Sequence, residues 1–470
     1  MSLSKFLEIL KYLKNVIEDS IFKNKVYAVG GCCRDYVMNI PIKDIDLCVE
    51  LPNGGIKLAE YLQSKNAISG NIITYPTYGT AMFRLLKFPE EEIECVMTRG
   101  EQYHDKNSRN PITTYASLKE DCFRRDLTIN AIYYNVSTCK FLDPTNLGIK
   151  SIENKIIKVT NENPDIVFKD DPLRILRCIR FATRYNWNIE PNTYKSLIKN
   201  INGLSIISQE RITNEFNEII SSRNPILGMK LLKDSGAMKY VLPEICETYD
   251  ITQNKYHVGT VYEHTLLVLK NCSNYDAGDI ILRIACLLHD IGKIKCKTVV
   301  DGKIHFFNHE TIGAEFSEKI LKRMKYSNDF IKEVVFLIKN HMLTKQWGDG
   351  ENKVIPYNKV RKLQYLCKTK ERFYRLMQLI HADNSAHKKE YCMYKQIPLI
   401  VEKSEELYRS HSDMFGYKLP INGFDIMKAK NLQSSPVIKK YLNGLLNNAF
   451  SNPFINKENC LKIIKHWNFK

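Results

Sequence analysis

Near residue 150 the apolar pattern of this chain changes from short alternating runs to a helical period. Before that point, apolar runs bounded by turns predict β-strands at residues 26–29, 47–49, 80–83, 93–96 and 129–134. After Ile152, apolar residues recur at helical spacing, as in Leu173, Leu176 and Phe181. We therefore predict an α+β fold, with a mixed-sheet head followed by two-thirds of the chain that is almost wholly α-helical.

The chain has 470 residues, which is enough for several domains with cores of their own. Helix-breaking residues near Pro243, at residues 252–259 and at residues 420–423 indicate domain boundaries. We expect four segments, which are a head, a helical neck, a third domain and a helical tail, at residues 1–150, 151–245, 246–400 and 401–470.

The net charge of +17 is carried almost entirely by the helical part, since residues 1–150 contribute +1 and the remainder +16. A basic surface of this size favours a nucleic acid as partner over a membrane, because no polybasic stretch adjoins an apolar span. The alternative explanation of the charge is a proteome that is generally basic and rich in Lys.

No 18-residue apolar run is present, and the 14 cysteines form no Cys-x-x-Cys pair. We therefore expect a cytoplasmic protein with reduced cysteines. The sequence leaves the oligomeric state open.

The first candidate site combines a glycine turn with two carboxylates. Gly30 and Gly31 follow an apolar run and precede a predicted helix, where backbone N–H groups can approach a phosphate. Asp44 and Asp46 stand two positions apart, so an extended strand would present both carboxylates on one face. Two such groups repel unless a divalent cation lies between them, which predicts Mg²⁺-assisted nucleotidyl transfer, with Glu94 as a third ligand. The alternative to this metal site is an ordinary turn beside two exposed aspartates at the edge of the sheet, with no catalytic role.

Four motifs follow one another along the chain, at residues 30–46, 124–131, 170–181 and 210–215. In this order they resemble those of the class II tRNA nucleotidyltransferases, which comprise the bacterial CCA-adding enzymes and their poly(A) polymerase relatives. The resemblance implies a polymerase β-like head, Asp44, Asp46 and Glu94 as catalytic residues, and CTP, ATP and tRNA as partners. The nucleotide-binding residues that it implies are Gly30, Gly31, Arg34, Arg124, Asp126, Asn130, Asp171, Arg174, Arg177 and Arg180.

Within the third of these motifs, Asp171 and Arg174 are three residues apart, and we expect them on one helix face, where they would read the base edge of CTP or ATP. The family usually has Glu where this chain has Asp170. Residues 99–111 resemble the loop with which the family switches from C to A addition, which favours full CCA addition.

The second candidate site is a set of histidines and aspartates in the helical part. An adjacent His-Asp pair in an apolar helix needs compensation for its burial, and a metal ion supplies it. The set resembles the HD phosphohydrolases, and the implied ligands are His264, His289, Asp290, His309, His341 and Asp383. The resemblance implies a divalent metal (Mg²⁺, Mn²⁺, Fe²⁺ or Ni²⁺) and a 2′,3′-cyclic phosphodiesterase or phosphatase activity.

The sequence thus predicts template-independent CCA addition to tRNA. An A-adding enzyme or a poly(A) polymerase remains an alternative, although residues 77–81 lack the Arg-rich stretch of bacterial poly(A) polymerases. An HD phosphohydrolase whose head only binds nucleotide or RNA is an alternative of another class. Residues 402–470 carry aromatic and basic side chains that would either contact tRNA or serve as a structural cap.

Overall fold

The computed structural model describes residues 1–102, 112–274, 276–347 and 354–469. The chain forms two compact units, Met1–Val241 and Leu242–Lys470. No helix in these described ranges is both long and apolar enough to cross a bilayer.

A seven-stranded mixed sheet is the centre of the first unit, in the order β3-β4-β5-β2-β1-β8-β9. Its strands β2 and β5 run parallel, with Asp46 opposite Glu94, while the other neighbours in the sheet are antiparallel. The strands of this unit are β1 Val26–Val29, β2 Ile45–Val49, β3 Ile68–Tyr75, β4 Thr80–Leu85, β5 Phe88–Met97, β6 Arg99–Gln102, β7 Ile112–Tyr115, β8 Tyr133–Asn135, β9 Lys140–Leu142, β10 Ile156–Ile157 and β11 Asn188–Ile189.

Helices cover the sheet and build the neck. Ser2 caps the first helix, and its apolar stripe, which includes Phe6, Leu10 and Leu13, is fully buried in the core of the head. The helices of this unit are α1 Leu3–Ile17, α2 Gly31–Val37, α3 Gly54–Ser64, α4 Leu118–Phe123, α5 Gly148–Glu153, α6 Pro164–Asp170, α7 Leu173–Tyr185, α8 Pro191–Lys199, α9 Gln209–Ile220, α10 Pro225–Asp234 and α11 Met238–Val241.

In its described residues, the second unit is helical apart from one hairpin. Its tail, from Met414 onward, has a separate small core that includes Tyr441 and Leu445. The elements are α12 Pro243–Cys246, α13 Val261–Ser273, α14 Ile280–Leu288, α15 Lys293–Cys296, β12 Lys297–Val300, β13 Lys303–Phe306, α16 His309–Arg323, α17 Asn328–Asn340, α18 Tyr357–Cys367, α19 Lys370–Asn384, α20 Gln396–Arg409, α21 Gly423–Lys430, α22 Pro436–Ser451 and α23 Lys457–Lys465.

The prediction of a mixed-sheet head followed by a helical remainder is confirmed, with two local corrections. The strand expected from Ile129 begins only at Tyr133, because residues 128–130 form a 3₁₀ turn. Strands also persist beyond Ile152, most clearly in the β12–β13 hairpin. Asp301 and Gly302, both at positive φ, form its two-residue turn, and Asp-Gly between apolar runs is a hairpin signal that the helical pattern overrode in the prediction.

Candidate functional sites

The predicted carboxylates gather at one edge of the head sheet. Asp46 on β2 lies directly opposite Glu94 on the parallel strand β5, and the exposed Asp44 immediately precedes β2. Burial raises the pKa of Asp46 to about 6, and the charges of Glu94 and Asp44 add to this effect while Arg125 and Arg34 oppose it. A divalent cation, which prefers oxygen ligands, would relieve the repulsion among these carboxylates. Among the described residues, however, their oxygens do not form a group that lies within 4.8 Å of one another, so all three could share one ion only after side-chain movement.

The glycine turn lies beside these carboxylates. Gly30 follows β1 with a φ of 77°, and α2 begins at Gly31. A Cβ placed on Gly30 would lie 3.6 Å from Oδ2 of Asp46, which is ordinary contact, so the backbone conformation rather than space requires glycine here. The turn therefore brings backbone amide groups next to the cluster of acids, as the sequence predicted.

A cleft of about 600 Å³ opens over this cluster. It is lined by Asp44, Asp46 and Gly31 from the head, and by Arg180, Arg184 and Glu218 from the neck helices α7 and α9. The remaining lining residues are Arg34, Asp35, Lys43, Phe181, Asn214, Glu215 and Asn217. Arginines and a lysine facing a carboxylate cluster suit a polyanion that reaches the acids through a metal ion.

A chain of buried hydrogen bonds joins the glycine helix to the neck. Arg34 donates from Nε to Asp35 Oδ1 (2.8 Å) and from Nη1 to Asn130 Oδ1 (2.7 Å). Asn130 Nδ2 donates to Asp126 Oδ1 (3.1 Å), and Arg177 Nε donates to Asp126 Oδ2 (2.6 Å). Although burial opposes it, the charge of Arg177 holds the pKa of Asp126 well below its ordinary value. Four of the predicted nucleotide-binding residues thus form one network, in which Asp126 positions the arginines.

Glu215 extends this network and was not among the predicted site residues. Its Oε1 lies 3.3 Å from Arg180 Nη1 and 3.9 Å from Arg177 Nη1, and the side chain is buried. Burial raises the pKa of Glu215 against the opposing charges of the two arginines. The motif at residues 210–215 pointed to this helix, but periodicity alone did not single out this carboxylate.

Arg124 belongs to a different cluster, centred on the fully buried Asp121. Oδ1 of Asp121 accepts from Arg124 Nη2 (2.6 Å), and Oδ2 accepts from Arg125 Nη2 (2.9 Å) and from the Tyr133 hydroxyl (2.8 Å). Despite burial, the two arginines keep the pKa of Asp121 well below its ordinary value. Arg124 does not line the cleft that the structure describes, and no pattern in the sequence identified Asp121 as its partner.

Asp171 and Arg174 do not share a helix, which corrects the prediction. Asp171 lies between α6 and α7, with Oδ1 accepting from the Leu173 amide (3.1 Å) and Oδ2 paired with Arg211 (2.8 Å). Pro172 is the physical reason, since a residue before proline is disfavoured in the helical conformation. Arg174 is buried on α7, and its Nη1 donates to Val167 O (3.4 Å). Neither residue lines the described cleft.

The raised pKa of Asp46 leads to a stability prediction. The pKa rises from 3.8 to about 6, so ionising this carboxyl costs free energy in the folded state above pH 6. We expect Asp46→Asn to stabilise the metal-free protein by roughly 1–2 kcal/mol at pH 7.5, after allowance for partial exposure, and by less as the pH falls from 6 towards 4. Thermal melting at pH 7.5 and at pH 4 measures the change in stability, with Asp19→Asn as control. A lower melting temperature for Asp46→Asn than for the unmodified protein at pH 7.5 would contradict the prediction.

In the second unit, the six predicted ligands converge in the interior. All six are buried, and five helices supply them or flank them, namely α13, α14, α16, α17 and α19. The Nε2 atom of His264 lies 3.0 Å from Asp383 Oδ1 and 3.6 Å from Asp290 Oδ2. The Nε2 atoms of His289 and His309 lie 3.2 Å and 3.4 Å from the carboxylate oxygens of Asp290.

Three of these histidines are oriented by the backbone. The Nδ1 atoms of His289, His309 and His341 lie 2.8, 2.9 and 2.6 Å from the carbonyl oxygens of Cys286, Phe306 and Ile338. Protonated Nδ1 therefore donates to a carbonyl, which leaves the Nε2 lone pair free to point inward, as in metal-bound imidazole. Gly292 permits the arrangement, because a Cβ there would collide with the backbone at His309 and Gly313.

Charge states at this centre suit a metal ion. Burial lowers the pKa of His264 to about 4 and that of His341 to about 3, so both imidazoles are neutral at pH 7. Although burial opposes it, neighbouring histidines and lysines hold the pKa values of Asp290 and Asp383 well below the ordinary range. Neutral imidazoles and ionised carboxylates are the forms that ligate. Although burial opposes it, the charge of Asp290 raises the pKa of His289, whose Nε2 atom lies 3.2 Å from that carboxylate, so a bound ion would take the place of a proton there. These residues fit a divalent metal.

Two further histidines, His257 and His387, adjoin the centre and were not predicted. The rings of His257 and His264 lie 4.7 Å apart, and His257, His264 and Asp290 form one of the groups that could hold an ion. His257 and His387 pair through an isolated backbone bridge between two loops. Since both residues lie in loops, no helical spacing connected them to the other ligands in the sequence.

Matches to three family models follow the order of the two units. They are the poly A polymerase head domain over residues 26–158, the probable RNA and SrmB-binding site of polymerase A over residues 186–248, and the HD domain over residues 261–380.

Known relatives and solved structures agree with these matches. The chain is 28% identical over 331 residues to an A-adding tRNA nucleotidyltransferase of Deinococcus radiodurans, covering 69% of this chain and 70% of the relative. It is 26% identical over 343 residues to a multifunctional CCA protein of Neisseria meningitidis, covering 70% and 76%.

The fold is similar to that of the CCA-adding enzyme of Bacillus stearothermophilus in complex with CTP, with a TM-score of 0.65 at 18% identity and coverage of 96% and 94%. It is also similar to the Thermotoga maritima CCA-adding enzyme complexed with tRNA, with a TM-score of 0.59 at 18% identity and coverage of 99% and 98%. In order along the chain, these matches comprise a poly A polymerase head domain, an RNA-binding site of polymerase A and an HD domain, on a fold similar to that of solved CCA-adding enzymes.

Proposed function

We propose that this protein adds C and A nucleotides (CCA) to the 3′ end of tRNA, using CTP and ATP. The observation that carries the proposal is the register of β2 and β5, which sets Asp46 beside Glu94 next to the Gly30 turn. The names of the relatives and the net charge of +17 support tRNA as the partner. A role in tRNA processing accords with a cytoplasmic location.

In the proposed reaction, the tRNA 3′ oxygen attacks the α-phosphorus of the nucleotide, the bond to pyrophosphate breaks, and the hydroxyl proton passes to solvent. Asp44, Asp46 and Glu94 would hold Mg²⁺, which when bound lowers the pKa of the attacking hydroxyl and offsets the charge of the departing pyrophosphate. The amides at Gly30 and Gly31 and the guanidinium of Arg34 would orient the triphosphate.

Selection of the base is assigned to protein side chains. By the family motif, Asp171 and Arg174 read the base edge, while Arg177 and Arg180 hold phosphate oxygens. Because Asp171 is paired with Arg211, base reading by this carboxylate requires the pair to open on nucleotide binding. Arg184 and Arg180 already line the cleft, although Arg180 is also paired with Glu215.

Of the three possible activities, we propose full CCA addition rather than A addition alone or poly(A) synthesis. Relatives with both CCA and A-adding names match at similar identity, so the distinction calls for an experiment. Of the predicted switching loop at residues 99–111, residues 103–111 lie outside the described part of the chain.

The test uses tRNA transcripts that end before, within and after CCA, each offered labelled CTP and ATP separately and together. We expect C to be added twice to the shortest transcript, then one A, and nothing to complete CCA ends. Addition of A only to transcripts ending in CC would replace the proposal with the A-adding alternative, and long A tails would identify a poly(A) polymerase.

For the HD domain we propose a metal-dependent phosphohydrolase that acts on phosphate esters at RNA 3′ ends, as a 2′,3′-cyclic phosphodiesterase or phosphatase. His264, His289, Asp290, His309, His341 and Asp383 would hold the ion, which is Mg²⁺, Mn²⁺, Fe²⁺ or Ni²⁺. When bound, it activates water for attack on phosphorus. Lys293, whose Nζ lies 2.6 Å from Asp290 Oδ2, and Lys345, whose Nζ lies 3.2 Å from Asp383 Oδ2, are placed to meet the phosphate.

A further inference from the structure

The pocket above the HD centre is much larger than a phosphate. Its volume is about 770 Å³, within the range of pockets that enclose whole small ligands. The metal-ligating residues Asp290, His309 and Asp383 line it together with residues that have no place among the ligands. The pocket therefore has room, beyond the metal centre, for the rest of a substrate that carries the phosphate.

Aromatic rings from three separate segments line this outer part. Phe307 follows the β12–β13 hairpin and is 61% exposed, and Tyr256, in the loop before α13, is 41% exposed. The Phe307 ring stacks on His305 with 5.1 Å between centroids and 5° between planes. Tyr256 meets Tyr391 edge to face, with centroids 4.9 Å apart. Large apolar rings left in contact with water around a pocket indicate a ligand that covers them.

Backbone pairing holds this rim in place. The Lys388 amide donates to Tyr256 O (3.1 Å), and the bridge between His257 and His387 ties the same two loops together. Phe307 follows directly on a hairpin of four paired residues on each strand. The rings therefore project from segments fixed by hydrogen bonds, as a stacking platform requires.

Cations accompany the rings. Lys389 and Lys395 line the pocket near Tyr391, with Glu390 as the acid on the same segment. They are distinct from Lys293 and Lys345, which lie against the metal-ligating carboxylates. Two further lysines in the same pocket suit a second phosphate besides the one at the centre.

We propose that Tyr256, Phe307 and Tyr391 form a nucleobase-binding rim, and that Lys389 and Lys395 bind the 5′ phosphate of the same nucleotide. The ligand is a ribonucleotide with one phosphate on its 2′ or 3′ oxygen and another on its 5′ oxygen. Such a group is the last residue of an RNA chain or a free nucleoside bisphosphate. The inference rests on the proposed HD phosphohydrolase and assigns the residues that select its substrate.

The test compares three substrates with the metal-loaded full-length protein: adenosine 3′-phosphate, adenosine 3′,5′-bisphosphate and the base-free glycerol 2-phosphate. Base stacking on one aromatic side chain changes affinity about 5- to 150-fold. We expect Phe307→Ala and Tyr256→Ala to raise KM for both adenosine substrates by about that factor, with kcat and all glycerol 2-phosphate kinetics within about twofold of the unmodified protein. Phe454→Ala, which removes a ring that is 69% exposed in the tail, is the matched control and should change nothing.

We expect the unmodified protein to prefer the bisphosphate to the monophosphate, and the double variant Lys389→Ala/Lys395→Ala to lose this preference. The absence of a preference in the unmodified protein, or its persistence in the double variant, would overturn the assignment of these lysines. An oligoribonucleotide with a 3′-phosphate, offered beside the free bisphosphate, identifies which source of this chemistry the pocket prefers. Equal losses on glycerol 2-phosphate would assign the rings a structural role and overturn the proposal, as would unchanged KM values for the nucleotides.

A second measurement does not depend on catalysis. Calorimetric titration of the metal-free protein with adenosine 3′,5′-bisphosphate should show weaker binding for the Phe307 and Tyr256 variants than for Phe454→Ala. Binding that depends on the rings without hydrolysis of any substrate would support the rim and refute the phosphohydrolase. If the protein hydrolysed glycerol 2-phosphate, while nucleotide binding and KM were the same in the ring variants as in the unmodified protein, the phosphohydrolase would be supported and the rim refuted.

Discussion

Replacement of Asp46 by alanine is expected to reduce nucleotide addition to tRNA roughly 10³-fold or more, because it removes a ligand whose contribution is made in the transition state. Asp46 is the carboxylate at which the glycine turn, the opposing Glu94 and the cleft meet. Asp44→Ala is expected to have a similar effect. The rate of CMP incorporation into a tRNA transcript lacking CCA measures both.

The matched control is Asp19→Ala, which removes an exposed aspartate of the same unit that does not line the cleft. It should leave incorporation unchanged, and all three variants should retain phosphohydrolase activity, since the HD centre belongs to the other unit. Full incorporation by Asp44→Ala and Asp46→Ala would contradict the catalytic role of these carboxylates. If the unmodified protein incorporated no CMP but kept its phosphohydrolase activity, the head would be only a binding module, as the alternative of another class holds.

The second large effect is expected at the HD centre. His289→Ala removes an inward-facing Nε2 atom, and we expect phosphohydrolase activity to fall roughly 10³-fold. Metal content, measured by elemental analysis after dialysis, should fall in parallel, since a ligand is lost. Incorporation of CMP into tRNA should persist at close to the unmodified rate.

Because His289 is fully buried, its loss could also disturb packing, and His309→Gln provides a second variant at the edge of the centre. His411→Ala, an exposed histidine of the tail, is the control for the loss of an imidazole. Loss of activity with full metal occupancy in both ligand variants would contradict the assignment of these residues as ligands.

Much of both sites could be predicted from local sequence rules. Asp44 and Asp46 were placed together by the two-residue period of a strand, and the order of the histidines and aspartates indicated one centre. The contact of Glu94 with Asp46 depends on which strands pair, and that is decided by the long-range parallel pairing of β2 with β5. The placement of the carboxylates follows that pairing, while their catalytic role stays a prediction.

Other features were beyond local rules or were overlooked. Asp121 and Glu215 are buried acids whose arginine partners come from elsewhere in the fold, so neither periodicity nor charge count identifies them. His257 and His387 reach the HD centre through loops. Pro172 did signal the break at Asp171, and Asp301-Gly302 did signal a hairpin, but the surrounding helical pattern outweighed both in the prediction.

The most direct test of the central claim is anomalous scattering from crystals of the full chain grown with Mn²⁺ and a non-hydrolysable CTP analogue. We predict a manganese peak within coordination distance of Asp44, Asp46 or Glu94, with the triphosphate between that peak and the amides at Gly30 and Gly31. Manganese bound only in the HD centre, with the nucleotide away from the acids of the head, would contradict the account.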